Sequence, residues 1–305
     1  MLNRGTLSST AISLALWAAA VGGYVLLAVA FVDRKIDPNG GTGSAAADAF
    51  AYWLAGRHLA TGEPLYGLTA GQHGAFLYPP IMAQLIAPFA ALPLPVFVWL
   101  WRAVEFVALM TIVGSIRNAG IALLVFPALI AELEAANVNL LVAGALAAMI
   151  RGNGRGLGPA ILPKLSALAA VPAGLARDKT GTLVGLVLGL ALIMGSIVIA
   201  ADLWRAYLEF LPKVGNPGDQ GYNVGRFVST EVRLAAGAVF AVVAIRSPIY
   251  APIAVTLASP VLWFNSLSTL VACIAAFPAV TGMRFADRAT RAARPATESH
   301  VAIPD

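Results

Sequence analysis

Long apolar stretches follow one another along almost the whole chain, separated by short breaks rich in Pro, Gly or charge. Ten of them read as helices that cross or re-enter a membrane, at about 10–32, 78–93, 95–116, 119–134, 137–150, 157–176, 181–203, 231–246, 248–265 and 266–283. The clearest is 181–203. As a helix it would extend about 34 Å, enough for a hydrocarbon core of about 30 Å. Several others are short and interrupted by Pro. Backbone breaks at membrane depth are tolerated where protein or a cavity satisfies the freed polar groups, so broken or re-entrant helices are expected between 119 and 176.

The stretch 10–32 follows Arg4 and contains Ala28-Val29-Ala30, which resembles a signal-peptidase site. It is longer than the roughly 7–15 residues of a signal-peptide core and reads as an uncleaved first span. Two longer polar segments, 33–77 and 204–230, share one side of the membrane, and the termini share the other. Arg4, Arg177, Lys179, Arg246 and the group Arg284, Arg288, Arg291 and Arg294 assign that second side to the cytoplasm. The loop 151–155 (Arg-Gly-Asn-Gly-Arg) is cytoplasmic by its charge and external by a count of ten spans. It moves inside if 119–150 is one broken crossing and 157–176 a re-entrant hairpin. The expected architecture is all-α: one polytopic integral membrane domain over 1–283 in the plasma membrane, then a basic cytoplasmic tail over 284–305.

Composition fits this pattern. The chain is 59% hydrophobic and 11% charged, with a mean hydropathy of +0.80, where a soluble domain carries about 25% charge. The net charge of +5 comes without any cluster of basic and aromatic residues, so no nucleic-acid partner is expected. Cys273 is the single cysteine and reads as a small buried hydrophobe. His58 and His73 lack Cys or acidic partners at ligand spacing, and no metal site is expected. There is also no Asp-x-Asp motif, phosphate loop or Gly-rich dinucleotide fingerprint, so no cofactor is expected.

Candidate chemistry begins in the first polar segment. Residues 45–61 read as a helix, with Phe50, Trp53, Leu54 and Arg57 at helical spacing and Gly62 as a stop. Its aromatic residues suit a helix lying along the headgroups. Asp48 and Tyr52 share a face. Asp48 could cap this helix, or its carboxylate could take the proton of an attacking hydroxyl. Arg102 and Glu105, three apart, are expected to neutralise each other. Glu132, Glu134, Asn137 and Asn139 interrupt apolar sequence. A charge at a helix centre costs on the order of 2.5–3.5 kcal/mol, so these acids need a cavity, a partner or an interface. Lys164 stands alone in an apolar stretch, either snorkelling to the interface or serving as a counter-charge. The segment 204–230 holds Trp204, Arg205, Tyr207, Lys213, Asn216, Asp219, Tyr222, Asn223 and Arg226, a set that could hold sugars and phosphates or be merely solvated.

The stretch from Asp48, D-A-F-A-Y-W-L-A-G-R-H-L-A-T-G-E-P-L-Y-G, followed by F-L-Y-P-P-I-M-A-Q-L-I-A-P-F-A-A-L-P, resembles the start of glycosyltransferase family 87. Members of that family are polytopic enzymes that take a sugar from a polyprenyl-phosphate carrier. Weaker matches follow in order. Asn137 and Asn139 resemble the family's Gly-Gln-x-Asn break, with Ala136 in the Gly position. Lys164 resembles the lysine of a Lys-x-x-Pro segment, with Ala167 where Pro is usual. Ser259-Pro260-Val261-Leu262-Trp263 resembles Ser-Pro-x-x-Trp-x-His, with Asn265 in the His position. Asn hydrogen-bonds but carries no proton or charge.

The resemblance implies a fold of the GT-C type and an inverting, metal-independent transfer at the external face. Asp48 would be the general base. Lys164, Arg226 and Asn265 would meet the donor phosphate, and Tyr52, Tyr78, Asn139 and Trp263 would surround the substrates. The donor would be a polyprenyl-phosphate sugar, and the acceptor a hydroxyl of a membrane lipid or glycan. Mannose and arabinose both fit. Two other classes share the apolar bulk: a transporter or flippase for a lipid-linked sugar, and a catalytically degenerate partner in a glycan-assembly complex, which Asn265 favours.

Overall fold

The computed structural model describes residues 45–214 and 223–277, with isolated positions between 11 and 22. The expected first span, the mixed-charge loop 33–37, the stretch 215–222 with Asn216, Asp219 and Tyr222, and the basic tail therefore lie outside the described residues. The described residues form helices and 3-10 segments, with no named strand among them.

Helix α1, Ala47–Thr61, ends at Gly62 in the left-handed conformation (φ 77°) that glycine adopts without strain. It buries one face and leaves Ala47, Arg57, Ala60 and Thr61 exposed. Ala49, Phe50, Ala51, Tyr52, Ala55 and Gly56 are all buried, and the small residues let its neighbours approach closely. A Cβ at Gly56 would come within 2.7 Å of Ala90. That face packs the helix against Pro80–Ile86 and Leu94–Val113.

The expected span 78–93 reduces to α2, Pro80–Ile86, about 10 Å long and too short to cross. Pro79, Pro80, Pro88 and Pro93 set its limits. Helix α3, Leu94–Val113, opens with a Pro in its first turn and stops at Gly114 (φ 83°). Then come α4 (Ile116–Val125), capped by the Ser115 hydroxyl accepting from the Asn118 N–H, and α5 (Pro127–Ala135). Their axes differ by 102° at the Phe126 break, where Pro127 cannot continue the preceding ladder. Helix α6 is Asn139–Ile150. The stretch 157–176 is broken into α7 (Leu157–Ile161), a 3-10 turn (Leu165–Ala170) and α8 (Val171–Arg177). The irregularity expected between 119 and 176 is present.

Helix α9, Lys179–Ile199, is followed by α10, Ala201–Phe210. The start of the expected loop 204–230 is thus helical. It is also the amphipathic element that α1 was expected to be. Tyr207 and Phe210 are buried, while Asp202, Arg205, Leu208 and Glu209 are exposed. After α11 (Thr230–Arg246) and α12 (Ala251–Leu257) the chain winds tightly through a 3-10 segment, Phe264–Ala276.

Two helices, α3 and α9, are long and apolar enough to cross a membrane, and the bent pair α4–α5 makes a third if taken as one span. Shorter apolar helices or helical segments at Asn139–Ile150, Leu165–Arg177, Pro248–Leu257 and Phe264–Ala276 accompany them among the described residues. The outward face of α9 is apolar, with Val187, Leu188, Val198 and Ile199 all more than half exposed. An apolar face of that extent is suited to lipid.

Among the described residues the core has two main parts and a smaller cluster of Ala70, Phe210 and Val214. One joins α3, α5, α6 and the Phe264–Ala276 segment through Leu109, Leu133, Leu140, Leu146, Met149 and Val271. The other gathers Phe50, Tyr52, Met82, Ile86, Phe97 and Val98 around α1. At one end of the bundle Arg151 donates to the carbonyls of Thr111 and Ile112, and Asp178 accepts from the N–H groups of Gly154 (2.9 Å) and Gly181 (3.0 Å). Those two bonds hold the Asp178 carboxyl below its ordinary range. The loop 151–155 therefore lies on the same side as Arg177 and Lys179, as its charge implies and as the ten-span count does not.

Helices α7 and α9 touch backbone to backbone through Gly158, Gly185 and Gly189. A Cβ on Gly189 would lie 2.8 Å from the Gly158 carbonyl oxygen, and one on Gly158 would collide with Gly185. Small residues at such crossings let helices pack in lipid. Gly158→Ala should lower the thermal midpoint of the detergent-purified protein, reflecting a loss of roughly 1–3 kcal/mol from overpacking. Gly195→Ala, with nothing within 4 Å of its added Cβ, should leave the midpoint unchanged or raised.

Candidate functional site

The site is organised by the break between α5 and α6. Helix α5 ends at Ala136 in a left-handed conformation (φ 55°), which costs an L-residue about 1–2 kcal/mol. That is why a glycine is natural at this point. The reversal sends Glu132 back across the break. Its carboxylate accepts from the Asn139 N–H (2.7 Å), the Asn139 side-chain amide (2.7 Å) and the Leu140 N–H (3.3 Å). Glu132 is fully buried and occupies the N-terminus of α6, where unpaired N–H groups and the helix dipole favour negative charge. Of the alternatives for this acid, burial with a partner is the one realised.

On the other side of the break, the last carbonyls of α5 need donors. Arg102 supplies them, Nε to Leu133 (3.1 Å) and Nη2 to Glu134 (3.2 Å). Arg102 thus hydrogen-bonds the orphan carbonyls within reach of its guanidinium fork while keeping the expected electrostatic attraction to Glu105. Both carboxylate oxygens of Glu105 are buried with no hydrogen-bond partner.

Two polar chains leave the break. Asn139, its amide fixed by Glu132, presents Oδ1 to the Lys164 ammonium. Asn137 donates from Nδ2 to Asp48 Oδ2 (2.7 Å) and accepts from the Tyr78 hydroxyl (3.1 Å), which in turn accepts from Tyr52 (2.9 Å). Trp101 Nε1 donates to the Asn137 carbonyl (3.3 Å). Asp48 is the second residue of α1 and makes no capping bond. The N-cap is Ala46, whose N–H donates to the Glu134 carbonyl (2.9 Å). The capping alternative for Asp48 is therefore not realised.

Asp48 keeps part of its surface exposed but lies deep enough for its protonation to change. Burial pushes its carboxyl up to about 6. The Asn137 bond and the Lys164 charge oppose the shift, the Glu134 charge adds to it, and the Asn265 side chain opposes it. Burial likewise holds the Tyr52 hydroxyl well above its ordinary value, so it stays a donor to Tyr78.

These groups edge a cavity of about 390 Å³. Its walls are mostly apolar, among them Leu77, Pro163, Leu165, Leu168, Leu211 and Val261, with Tyr207 and Trp263. The polar members gather as Tyr78, Asn137, Lys164, Ser166 and Ser266. Of the expected site residues, Tyr78, Lys164 and Trp263 line the cavity directly. Asp48 is one hydrogen bond from its wall, through Asn137. Tyr52 and Asn139 are fully buried and reach it only through Tyr78 and Lys164, so they position rather than touch. Asn265 is buried near Asp48, beside the lining residue Ser266. Arg226 is not brought in. It is exposed, outside the lining, with its guanidinium over the Phe227 ring at 4.7 Å. No cluster of potential metal ligands occurs among the described residues.

The sequence reading passed over three contributors. Ser166 and Ser266 lie in the cavity wall. Arg233 is buried on α11 and donates to the carbonyls of Ser259 (2.7 Å) and Pro260 (3.0 Å), fixing the turn that carries Trp263 and Asn265. A lone Arg inside the apolar run 231–246 was the available signal. From the other flank, the Val224 and Gly225 N–H groups donate to the Leu262 carbonyl (2.9 and 3.0 Å).

The family model for glycosyltransferase family 87 matches residues 76–303. The chain belongs to glycosyltransferase family 87. The matched region contains Tyr78, Asn137, Asn139, Lys164, Trp263 and Asn265, while Asp48 and Tyr52 precede it. Comparison with curated proteins and with solved structures gave no match. Membership makes this apolar helical protein a glycosyltransferase, and the cavity with its ionisable edge is where the transferase chemistry is sought.

Glu132→Ala should leave two α6 N–H groups and the Asn139 amide without their acceptor, at about 1–3 kcal/mol for each unsatisfied group. The expected readout is a drop in thermal midpoint of the purified protein, together with loss of transfer. An unchanged midpoint would mean that the break does not depend on this carboxylate.

Proposed function

We propose that this protein transfers a sugar from a polyprenyl-phosphate donor to a hydroxyl of a membrane lipid or glycan, with inversion and with Asp48 as general base. The observation that carries this reading is the meeting of Asp48 and Lys164, on separate elements, through Asn137 and Asn139 at one edge of a largely apolar cavity. A carboxylate beside a cation suits a reaction that removes a proton at one point and releases an anion at another.

In this reading the acceptor hydroxyl loses its proton to Asp48 as its oxygen attacks the anomeric carbon. The bond from that carbon to the phosphate oxygen breaks, and polyprenyl phosphate leaves with the electron pair. Lys164 balances the charge that develops on the leaving phosphate, where low local dielectric gives a fixed charge more effect than in water. Tyr78 and Asn137 hold the Asp48 carboxylate in one orientation. Trp263 and Tyr207 supply aromatic faces for the sugar, and the leucine-lined wall accommodates isoprene units. A carboxyl raised to about 6 is ionised near neutral pH yet more basic than an ordinary aspartate, which suits a general base.

The direct test is a glycolipid profile of cells lacking the protein, complemented with wild type or Asp48→Asn at matched membrane abundance. Deletion should remove a species differing by one sugar, and only wild type should restore it. With purified protein, Asp48→Asn should reduce turnover about 10²–10⁴-fold. Full restoration by Asp48→Asn would turn the assignment toward a transporter or scaffold.

The pH dependence has a definite sign. Because the base acts only when deprotonated, kcat/KM should rise about tenfold per pH unit below the Asp48 value of about 6 and level off above it. A profile flat between about pH 4.5 and 8 would exclude Asp48 as the titrating base.

A further inference from the structure

Ser166 and Ser266 come from distant parts of the chain, one following Lys164 on the 3-10 turn Leu165–Ala170, the other in the Phe264–Ala276 segment. Both residues are more than nine-tenths buried, and both line the cavity that Lys164 lines. A hydroxyl inside a protein ordinarily finds a hydrogen-bond partner. Ser166 Oγ has only a 3.5 Å contact with Ser259 Oγ. The Ser259 hydroxyl donates to the Val255 carbonyl at 3.3 Å, so in that long contact Ser166 is the donor. Ser266 shows no side-chain hydrogen bond to protein, although its backbone N–H donates to the Trp263 carbonyl. Nearby Thr256, by contrast, satisfies its hydroxyl on the Pro252 carbonyl at 2.8 Å. Ser266 is left with a donor to offer to an occupant, and Ser166 gives up only a long bond by turning to one.

Lys164 has the same surplus. Its ammonium carries three N–H donors, and the hydrogen bond to Asn139 Oδ1 takes one. Neutral hydroxyls beside a cation are suited to an anion with several acceptor oxygens, since bonds to an ionised acceptor are about twice as strong as neutral ones. We propose that Ser166 and Ser266, with the free donors of Lys164, form the cradle for the donor's phosphate group. This rests on the reading of the substrate as a polyprenyl phosphate sugar. It assigns to two serines the additional phosphate contacts that Arg226, outside the cavity, does not make. The apolar remainder of the wall, including Leu165 and Leu168 on the same turn as Ser166, is then placed to follow the first isoprene units away from the phosphate.

The test uses the full-length protein in detergent, with polyprenyl monophosphate and the polyprenol of the same chain length as paired probes and intrinsic tryptophan fluorescence as the readout. Wild type should bind the phosphate at least tenfold more tightly than the alcohol. Ser166→Ala and Ser266→Ala should each reduce that preference three- to tenfold, and the double variant should nearly abolish it. Binding of the alcohol and the thermal midpoint should stay unchanged. If wild type does not distinguish phosphate from alcohol, the lipid-phosphate substrate itself is wrong and the cradle falls with it. If wild type distinguishes them and the serine variants do so equally well, the cradle is overturned while the substrate reading survives. If the variants keep the phosphate preference but lose affinity only for the sugar-bearing donor, the hydroxyls serve the sugar, and the phosphate assignment is overturned.

Discussion

The site depends on a buried carboxylate that closes a gap in the helical backbone. Ending α5 and starting α6 within an apolar interior exposes carbonyls on one side and N–H groups on the other, and each would be costly if left dry. Glu132 answers the N–H groups and Arg102 the carbonyls. Once the break is satisfied, its two asparagines are held in place, and each projects one amide toward an ionisable partner: Asn137 to Asp48 and Asn139 to Lys164. A continuous helix would place residues 137 and 139 on different faces. The break is what lets both serve one site.

That dependence explains which features could be read along the chain and which could not. The apolar periodicity located α3, α9 and α11 to within a few residues, because long unbroken runs have few alternatives in lipid. Asn139 and Lys164 stood out as polar residues in apolar surroundings, Asp48 and Trp263 through the family resemblance, and all four lie at the cavity or one hydrogen bond from it. The errors have a common cause. Proline-rich and alanine-rich segments leave the partner of each helix unspecified. The stretch 78–93 became a seven-residue helix, and the amphipathic pattern expected of α1 appears in α10. The amphipathic helix α10 reads as loop along the chain because its charged residues are as numerous as the inward-facing positions 203, 207 and 210.

Long-range partners were beyond local pattern altogether. A sequence read in windows pairs Arg102 with Glu105, three residues away. Only the fold brings the orphan carbonyls of residues 133 and 134 within reach of the guanidinium. Arg233 is similar: its partners lie at 259 and 260, on a turn whose position follows from the packing of α11 against α12. Serines gave no signal at all, since their function depends on whether a partner is near, and composition does not record that.

The same geometry bears on the replacement of the family's histidine by Asn265. A histidine beside a leaving phosphate could contribute charge, whereas asparagine contributes only hydrogen bonds. In this protein Lys164 already lines the cavity, with Asn139 steering its ammonium. Asn265 is buried near Asp48, and its side chain opposes the rise in the Asp48 pKa. A cation at the 265 position would oppose that rise more strongly than a neutral amide and leave Asp48 a weaker base. On the proposed mechanism, the neutral residue therefore fits a division in which Lys164 carries the charge opposite the phosphate while Asp48 keeps its proton affinity. On that division, the departure from the family pattern is compatible with an active transferase and shifts the weight of phosphate recognition onto the lysine side of the cavity.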